Sequence, residues 1–186
     1  LDFSKIEAGK LNIKNDEFEF NEMITDVLSV MSFKSEEKKL ELLAYYDSDI
    51  PSFIISDRLR IEQILNNLIS NAIKFTNKGE IVLSTKLIKE NKNSLKIMFS
   101  IKDSGIGISK SSQKKLFQEF SQVDNSATRN FQRTKVPPAP SNKLSILLGG
   151  EIWIEDSKEG YGSTFCFTIK CKKSNTIQKK QYDELP

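Results

Sequence analysis

The sequence predicts an α+β protein in two layers, in which a mixed, mostly antiparallel sheet is covered by helices on one face. Three observations indicate this fold class. Strand and helix patterns are segregated along the chain and do not alternate in strict succession. The helical segments carry apolar stripes at the helical period, and the strand segments are short runs separated by polar turns. The 186 residues suffice for one domain with one large core.

The elements of the first half follow from hydrophobic spacing. Residues 1–10 predict the last turns of a helix that a glycine stops. Residues 17–20 alternate as a short strand, and Asn21 is expected to cap a helix with apolar residues at helical spacing. The charged run 34–39 closes that helix, and we interpret it as a solvated end. Residues 40–46 predict a second strand.

In the middle of the chain, Asp57 is expected to cap a helix that runs to about Phe75. Residues 77–79 form the turn that leaves this helix. Two strands follow, at 80–88 and 95–102, and a polar hairpin loop joins them.

The last third has less pattern. Residues 104–140 show little periodicity, whereas a helix and two hairpin strands are predicted at 143–148, 151–155 and 163–170. The tail from Lys172 has no apolar period, so we expect a disordered linker. The predicted division is the end of a preceding helix at 1–12, one domain at 13–171 and a polar tail at 172–186.

The composition narrows the possible functions. The 28 basic and 25 acidic residues leave a net charge of only +3, so no nucleic-acid partner is expected. Cys166 and Cys171 are five residues apart on a predicted strand, where their side chains point to opposite faces and stay reduced. The reduced cysteines, the lack of a signal peptide and the lack of a long apolar run together indicate a cytoplasmic protein. Because the chain begins with Leu1, we expect a piece of a longer protein.

The sequence contains no histidine. This excludes histidine metal ligands and serine–histidine triads within the chain. Any histidine that accepts a phosphoryl group must therefore belong to another domain.

A line of polar side chains is predicted on the helix that Asp57 caps. Asn67, Asn71 and Lys74 are spaced at i, i+4 and i+7, beside an apolar stripe. An amide oxygen is a suitable ligand for Mg²⁺ bound to a polyphosphate, a lysine neutralises phosphate oxygens, and Phe75 adds an apolar wall. On the helix pattern alone, a polar strip on an amphipathic helix explains the same residues.

A second motif, Asp103-Ser104-Gly105-Ile106-Gly107-Ile108, follows a predicted strand. A carboxylate at the strand end can accept a hydrogen bond from the exocyclic amine of a base, and the glycines let the backbone approach the base closely. Such a motif is often only a turn. Its position some 32 residues beyond Asn71 makes the association more specific.

Two further segments carry candidate residues. Residues 116–124 contain Phe117 and Phe120, with Arg129 shortly after; two aromatic residues at this spacing are more often core. Residues 160–165 form a glycine-containing turn into a strand.

Taken together, these motifs resemble the nucleotide-binding domain of sensor histidine kinases, hybrid ones included, which shares its fold with gyrase-type and chaperone-type ATPases. The resemblance rests on 60–76 and 103–108, and residues 4–11 are similar to the end of a dimerisation helix. It implies ATP and Mg²⁺ as cofactors and Asn71 as the metal ligand. It also implies that Asp103 binds the adenine amino group, that Thr164 supports Asp103 and that Gly162 avoids a clash. The implied nucleotide-binding residues are Asn67, Asn71, Lys74, Phe75, Asp103, Gly105, Gly107, Ile108, Phe120, Arg129, Gly162 and Thr164.

Position 67 separates subgroups of this superfamily. The related ATPases place there a glutamate that activates water, whereas Asn67 cannot accept a proton. Glu62 is the nearest substitute along the helix, but it lies on the opposite side from Asn71. Transfer to a separate acceptor therefore suits this chain better than hydrolysis.

One expected motif is missing. Where the family has a glycine-rich phosphate loop, the chain reads Gln132-Arg133-Thr134-Lys135-Val136-Pro137-Pro138-Ala139-Pro140, in register with the usual spacing. Proline has no N–H to donate, and valine resists the dihedrals that such loops need. Losing three amide contacts at about 1–3 kcal/mol each would weaken triphosphate binding by several orders of magnitude.

Two functions therefore remain open. The chain is expected to be the ATP-binding half of a histidine kinase, which passes the γ-phosphoryl group to a histidine of a dimerisation domain. A receiver domain or response regulator is the expected next acceptor. The expected parent is a homodimer that a membrane can anchor. The alternative is a degenerate domain of the same fold that acts as a signalling scaffold without turnover.

Overall fold

The computed structural model describes residues 12–113 and 139–176. These residues include a seven-stranded sheet and three α-helices, and residues 110–113 are also helical. The strands are β1 (Asp16–Glu19), β2 (Glu41–Tyr45), β3 (Phe53–Ser56), β4 (Glu80–Glu90), β5 (Ser94–Asp103), β6 (Ile152–Lys158) and β7 (Gly162–Lys173). The helices are α1 (Phe20–Glu37), α2 (Arg58–Phe75) and α3 (Ala139–Leu147).

The sheet confirms the predicted fold class. Its strand order is β1-β3-β7-β5-β4-β2, and β6 also pairs with β7. β2 and β4 run parallel, whereas the other pairs are antiparallel. One edge of β7 pairs with β5 along its length, and the other edge is shared by β6 at the start and β3 at the end. β7 is therefore central to the sheet.

The core lies between the sheet and the helices. Alternate residues of β5 and β7 point toward the helices, as the two-residue period of a strand requires. Phe99 of β5 stacks on Phe167 of β7, with ring centroids 4.6 Å apart, and Phe20 of α1 lies 5.8 Å from Phe99. The apolar stripe predicted for α2 is buried, at Ile61, Ile64, Leu65, Leu68 and Ala72.

Two predictions for α1 are wrong. The helix begins at Phe20, so Asn21 lies inside its first turn, and Glu19 occupies the cap position without a side-chain bond. The charged end is not simply solvated either. Lys38 Nζ donates to the backbone oxygens of Ile73, Lys74 and Thr76, at 2.8, 2.9 and 3.3 Å. A lysine at the end of α1 thus caps the end of α2.

Several boundaries differ from prediction. The short strand β3 was not predicted, although its residues pair with β1 and with the end of β7. The predicted start of a disordered tail at Lys172 is also wrong, because β7 continues to Lys173. Thr176 Oγ1 donates to Glu17 Oε1 at 2.8 Å, so ordered chain continues beyond the strand.

Two smaller expectations are tested by the same residues. Cys166 and Cys171 are both buried, and neither forms a disulfide bond, as predicted. None of the helices among the described residues is both long and apolar enough to cross a membrane.

Candidate nucleotide-binding site

α2 carries the predicted polar line in a well-anchored helix. The Asp57 side chain caps it by accepting from Arg60 N at 3.2 Å, and its other oxygen accepts from Lys14 N at 2.9 Å. Asn67 and Asn71 are half-buried, whereas Lys74 is exposed at the C-terminal end. The structure therefore keeps the amides next to the core and places the cation at the surface, where Lys74 Nζ lies 5.3 Å from the centre of the Phe75 ring.

Asn67 contacts the helix that follows the altered loop. Its Nδ2 donates to Ser141 Oγ at 2.7 Å, and Ser141 is buried in the first turn of α3. This bond joins α2 to α3 across a large separation in sequence. The sequence pattern does not indicate a role for Ser141, because a lone serine in a segment of low periodicity gives no signal.

Glu62 does not replace the missing base. Its Oε1 accepts from Arg58 Nε at 2.7 Å, and Arg58 also pairs with Asp26 of α1. The carboxylate is therefore committed to an ion pair on the first turn of α2. This agrees with the expectation that Glu62 points away from the asparagine line.

Asp103 ends β5 with its carboxylate buried and only partly used. Oδ1 accepts from Gly105 N at 2.9 Å and from Ser163 N at 3.3 Å. No donor among the described residues contacts Oδ2. One oxygen is thus fixed by backbone amides, and the other remains available to accept a hydrogen bond from a ligand.

The Asp103 carboxyl is electrostatically unusual. Burial raises its pKa above the ordinary value, although the hydrogen bonds from Gly105 and Ser163 act in the opposite direction. A buried carboxylate oxygen without a donor is unfavourable, so a hydrogen bond from a ligand amine would stabilise it. Perturbed groups of this kind are concentrated at functional sites.

The prediction that Thr164 supports Asp103 is wrong. In the β5–β7 register Asp103 pairs with Ser163, whereas Thr164 pairs with Lys102. Because side chains alternate along a strand, Ser163 and Thr164 face opposite sides of the sheet. Ser163 is the missed residue. The supporting group is the backbone N–H of Ser163, which the side-chain pattern of the strand does not indicate.

Gly162 has the steric role that was predicted. Its φ is 102°, and a Cβ there would lie 1.9 Å from Asp103 O. Gly107, with φ of 66°, is required by a different neighbour, because a Cβ would lie 2.0 Å from Lys158 O. Its closest neighbour is thus the β6–β7 hairpin.

Backbone hydrogen bonds bring the second motif to the end of α2. Ile106 N donates to Phe75 O at 3.1 Å, and Gly160 N donates to Ile106 O at 2.7 Å. Ile108 N donates to Ser157 Oγ at 2.9 Å. The structure therefore assembles the C-terminal turn of α2, the Asp103 loop and the β6–β7 turn at one edge of the fold.

An open pocket of about 480 Å³ lies beside this loop, lined by Ile106, Gly107, Ile108, Ser109, Ser112, Glu159 and Gly160. Two predicted nucleotide-binding residues, Gly107 and Ile108, line it, but Asp103 and the polar line do not. This pocket alone is therefore not the site. Phe120, Arg129 and the altered loop at 133–138 lie outside the described residues.

Similarity to known proteins shows which family carries this arrangement. Residues 56–173 match the model of the family described as histidine kinase-, DNA gyrase B-, and HSP90-like ATPase. The chain belongs to this family. The matched range includes the polar line, the Asp103 motif and all of β7, and the chain is an ATP-binding catalytic domain of the histidine kinase type.

Curated relatives of this kinase domain are long proteins. It is 40% identical to "Hybrid signal transduction histidine kinase B" of Dictyostelium discoideum, over 96% of this chain and 9% of that protein. It is 41% identical to "Sensor histidine kinase GacS" of Pseudomonas protegens, over 94% of this chain and 19% of that protein. The domain thus spans less than a fifth of the length of these relatives.

Solved structures show the same fold. The kinase domain superposes with full-length ShkA in complex with AMPPNP at a TM-score of 0.73 and 24% identity, over 92% of this chain and 34% of that one. The catalytic domain of the histidine kinase ThkA gives a TM-score of 0.58 at 25% identity, over 84% of this chain and 95% of that one.

Proposed function

We propose that the kinase domain binds the adenine of ATP through Asp103. The observation that carries this proposal is the buried carboxylate whose Oδ1 is held by two backbone amides while Oδ2 has no donor among the described residues. An exocyclic amine supplies the donor that Oδ2 lacks. A guanine presents a carbonyl oxygen at that position, so the same carboxylate would repel it.

The phosphate end of the nucleotide belongs to the polar line of α2. Asn71 would supply one amide oxygen to Mg²⁺, which keeps most of its ligands as water and phosphate oxygens. Lys74 would neutralise phosphate charge, and Asn67 would lie near the phosphates. Half-buried amides beside an exposed lysine fit this task. When bound, the metal neutralises charge that develops on the transferred group.

Phosphoryl transfer then needs an acceptor from outside this chain. The nucleophile would be a histidine imidazole of the dimerisation domain in the parent protein, which we expect to be a homodimer. The bond between the γ-phosphorus and the bridging oxygen breaks to release ADP as a phosphorus–nitrogen bond forms. The name "hybrid" of a relative supports a receiver domain as the next acceptor. We place the domain in the cytoplasm of a parent that a membrane can anchor.

One sequence observation favours a second function, the signalling scaffold without turnover. Pro137, Pro138 and Pro140 stand where amide donors to phosphate are expected. In this alternative, base contacts at Asp103 persist, whereas triphosphate affinity and transfer are lost.

A titration separates the two functions. A fluorescent ATP analogue is added to the chain with Mg²⁺, and the same titration is run on Asp103→Asn and on the control Asp156→Asn, an exposed residue of β6. Micromolar affinity that D103N abolishes and D156N retains would support the kinase. Absence of saturation at millimolar nucleotide would support the scaffold.

The loop itself is tested by repair. Replacing Lys135 and Pro137 with glycine should restore amide donors and flexibility and strengthen triphosphate binding, if the loop is the only defect. ADP affinity should change much less than ATP affinity, because the γ-phosphate is the group that loses these contacts. An equal gain for both nucleotides would contradict this account.

A further inference from the structure

The small net charge of the chain conceals an uneven distribution of charge over the fold. Helix α1, which covers one face of the sheet, carries four carboxylates and one lysine. The face of the sheet that points away from the helices is rich in lysine instead. Charge separated in this way produces a local potential that the net charge does not indicate.

Five lysines form a patch at one end of β4, β5 and β7, which we call the lysine patch. The register aligns Lys89 of β4, Lys96 of β5 and Lys170 of β7 in one row across three neighbouring strands. Lys86 precedes that row on β4, and Lys172 follows it on β7. The residues between them on β5 and β7 are buried in the core, so the alternation of a strand places the lysines on the opposite face.

The lysine patch is exposed, and little of its charge is neutralised. Four of the five lysines are exposed, and the side chain of Lys96 is 40% exposed. Among the ion pairs within the described residues, one involves the patch, in which Lys96 Nζ lies 3.9 Å from Glu151 Oε1. An exposed pair at that distance is weak. The patch therefore presents its positive charge to an anionic partner.

Two tyrosines lie beside the lysine patch. An open groove of about 420 Å³ runs along Tyr45, Lys86 and Met98. Tyr45 is 62% exposed and Tyr46 is 43% exposed. A tyrosine ring has an apolar body and a polar tip, which suits the boundary between lipid headgroups and water.

We propose that the lysine patch docks the kinase domain on an anionic lipid bilayer, with Tyr45 as an anchor at the level of the headgroups. The face of a sheet presents its side chains as a broad array, which matches the broad surface of a bilayer. Each lysine close to an anionic leaflet adds to the attraction without a fixed bonding geometry.

The chemistry of the patch favours a lipid surface over another macromolecule. Its cations are all lysines, and both arginines in the described part of the chain, Arg58 and Arg60, lie on α2. Interfaces between proteins are depleted in lysine and enriched in arginine, whose planar group makes bidentate contacts. A nucleic-acid strand would need aromatic side chains among the cations for base stacking, whereas Met98 is the residue paired with Lys86.

Docking in this way leaves the candidate nucleotide site uncovered. Lys96 precedes Asp103 by seven residues on β5, which corresponds to about 24 Å along the strand. The lysine patch and the candidate site therefore lie toward opposite ends of the sheet. The inference does not rest on the proposed function, and its tests need no nucleotide.

The first test measures binding of the whole chain to vesicles by cosedimentation. Vesicles of phosphatidylcholine with roughly one-third phosphatidylserine are compared with vesicles of phosphatidylcholine alone. Wild type should bind the anionic vesicles and not the neutral ones, and roughly 0.5 M salt should abolish binding. Equal binding to both kinds of vesicle, or binding to neither, would overturn the inference.

A triple variant locates the binding surface. Lys86→Gln, Lys96→Gln and Lys170→Gln in one chain should weaken binding to the anionic vesicles about hundredfold, because each lysine near such a surface contributes about fivefold. If the variant instead loses binding to a homopolymeric RNA, and wild type binds that RNA but no vesicles, the patch belongs to nucleic acid and the inference is overturned.

The matched control removes the same charge elsewhere. Lys34, Lys110 and Lys143 are exposed lysines outside the sheet, and all three are replaced by glutamine. This control should bind within about threefold of wild type, because charges far from the bilayer are screened. A loss equal to that of the patch variant would mean that net charge alone drives binding.

Two single variants complete the test. Glu151→Gln removes the carboxylate beside Lys96 and should strengthen binding up to about fivefold, a gain that a misfolded chain cannot show, whereas Glu36→Gln on α1 should have no effect. Tyr45→Ser should weaken binding about tenfold, and Tyr161→Ser, at the exposed β6–β7 turn, should not. Weaker binding by E151Q, or equal effects of the two tyrosine variants, would contradict the proposed orientation.

Discussion

The Asp103 carboxylate is buried at the end of β5, where its ionised form loses much of its hydration. Burial raises its pKa, so protonation favours the folded state. Its contribution to stability is therefore greatest below the ordinary aspartate pKa and is lost as the pH rises through the raised folded value. At neutral pH the ionised carboxylate therefore lowers the stability of the fold.

Asp103→Asn should remove that cost. The asparagine oxygen can still accept from Gly105 N and Ser163 N, and no buried charge remains. We expect D103N to melt about 2–4 °C above wild type at pH 7, the shift that roughly 1 kcal/mol produces in a chain of this size. Melting curves between pH 7 and pH 3 should show the difference shrinking on acidification. A difference independent of pH would contradict the explanation.

Lys39 is the one non-glycine residue with positive φ in the described part of the chain, at 57°. It follows α1 in a Schellman motif, in which Leu40 N donates to Ser35 O and Lys39 N donates to Glu36 O. At the end of α3 the same motif uses Gly149, with φ of 74°. The position at Lys39 is thus one where glycine is the usual residue.

Lys39→Gly should stabilise the fold by about 1 kcal/mol, because the left-handed conformation costs a side-chain residue roughly that much. Urea unfolding measures the change. Lys39→Ala is the control, since it removes the same charge but keeps the Cβ. An equal gain in K39A would show that charge, and not backbone strain, is responsible.

The positions of the candidate residues were predictable where one element determines them. The helical period suffices to align Asn67, Asn71 and Lys74 on α2, and the strand pattern suffices to place Asp103 at the end of β5. The role of Ser163 depended on the pairing of β5 with β7, which brings together residues 60 positions apart. The sequence alone does not show which residues of β5 and β7 pair. The supporting role was therefore assigned to Thr164, one residue after Ser163.

At the scale of elements, the end of α2 depends on a residue of α1. Lys38 donates to three backbone oxygens in the turn that carries Lys74 and Phe75. These are the carbonyls that a helix end leaves without partners, and the negative end of the helix dipole adds to the attraction.

Lys38→Met should therefore lower the free energy of unfolding by about 1 kcal/mol, and high salt should reduce the wild-type advantage. Lys38→Arg should retain most of it. Lys34→Met is the matched control, because Lys34 is exposed in the last turn of the same helix and has no hydrogen bond or ion pair with any described residue. Urea unfolding of the four proteins gives the comparison. A loss in K34M equal to that in K38M would exclude capping as the cause.

Long elements whose ends carry capping or turn residues were predictable from the sequence. The predicted cap at Asp57 and the predicted end of α2 at about Phe75 are confirmed, and the turn at Gly79 follows that end. β3 was missed because its four residues are stabilised by pairing with β1 and β7 and not by a pattern of their own. α1 begins two residues earlier than predicted, with its cap at Glu19 and not at Asn21, and Phe20 N bonds to Ser52 O, a contact from outside the segment.

At the scale of the whole molecule, the buried thiols report on global unfolding. Burial raises the pKa of the Cys171 thiol to about 12, so little reactive thiolate forms at pH 8. β7, which carries both cysteines, pairs with three other strands. Opening it requires most of the sheet to open.

Alkylation of both cysteines at pH 8 should therefore be at least roughly a thousandfold slower in the folded chain than in urea, following the small unfolded fraction. Mass spectrometry of iodoacetamide-treated protein measures the rates. Adding a nucleotide that binds should slow labelling further. Rapid native labelling would mean that β7 opens locally.

The hydrogen bond from Asn67 to Ser141 has a consequence for protein engineering when the hydrogen bonds of Gln113 are also considered. Gln113 Nε2 donates to Ile108 O at 2.7 Å and to Ser157 O at 3.2 Å. These bonds attach both flanks of the stretch 114–138 to the same domain, and none of them uses a residue of that stretch. We therefore expect that substitutions within 114–138 leave these bonds in place.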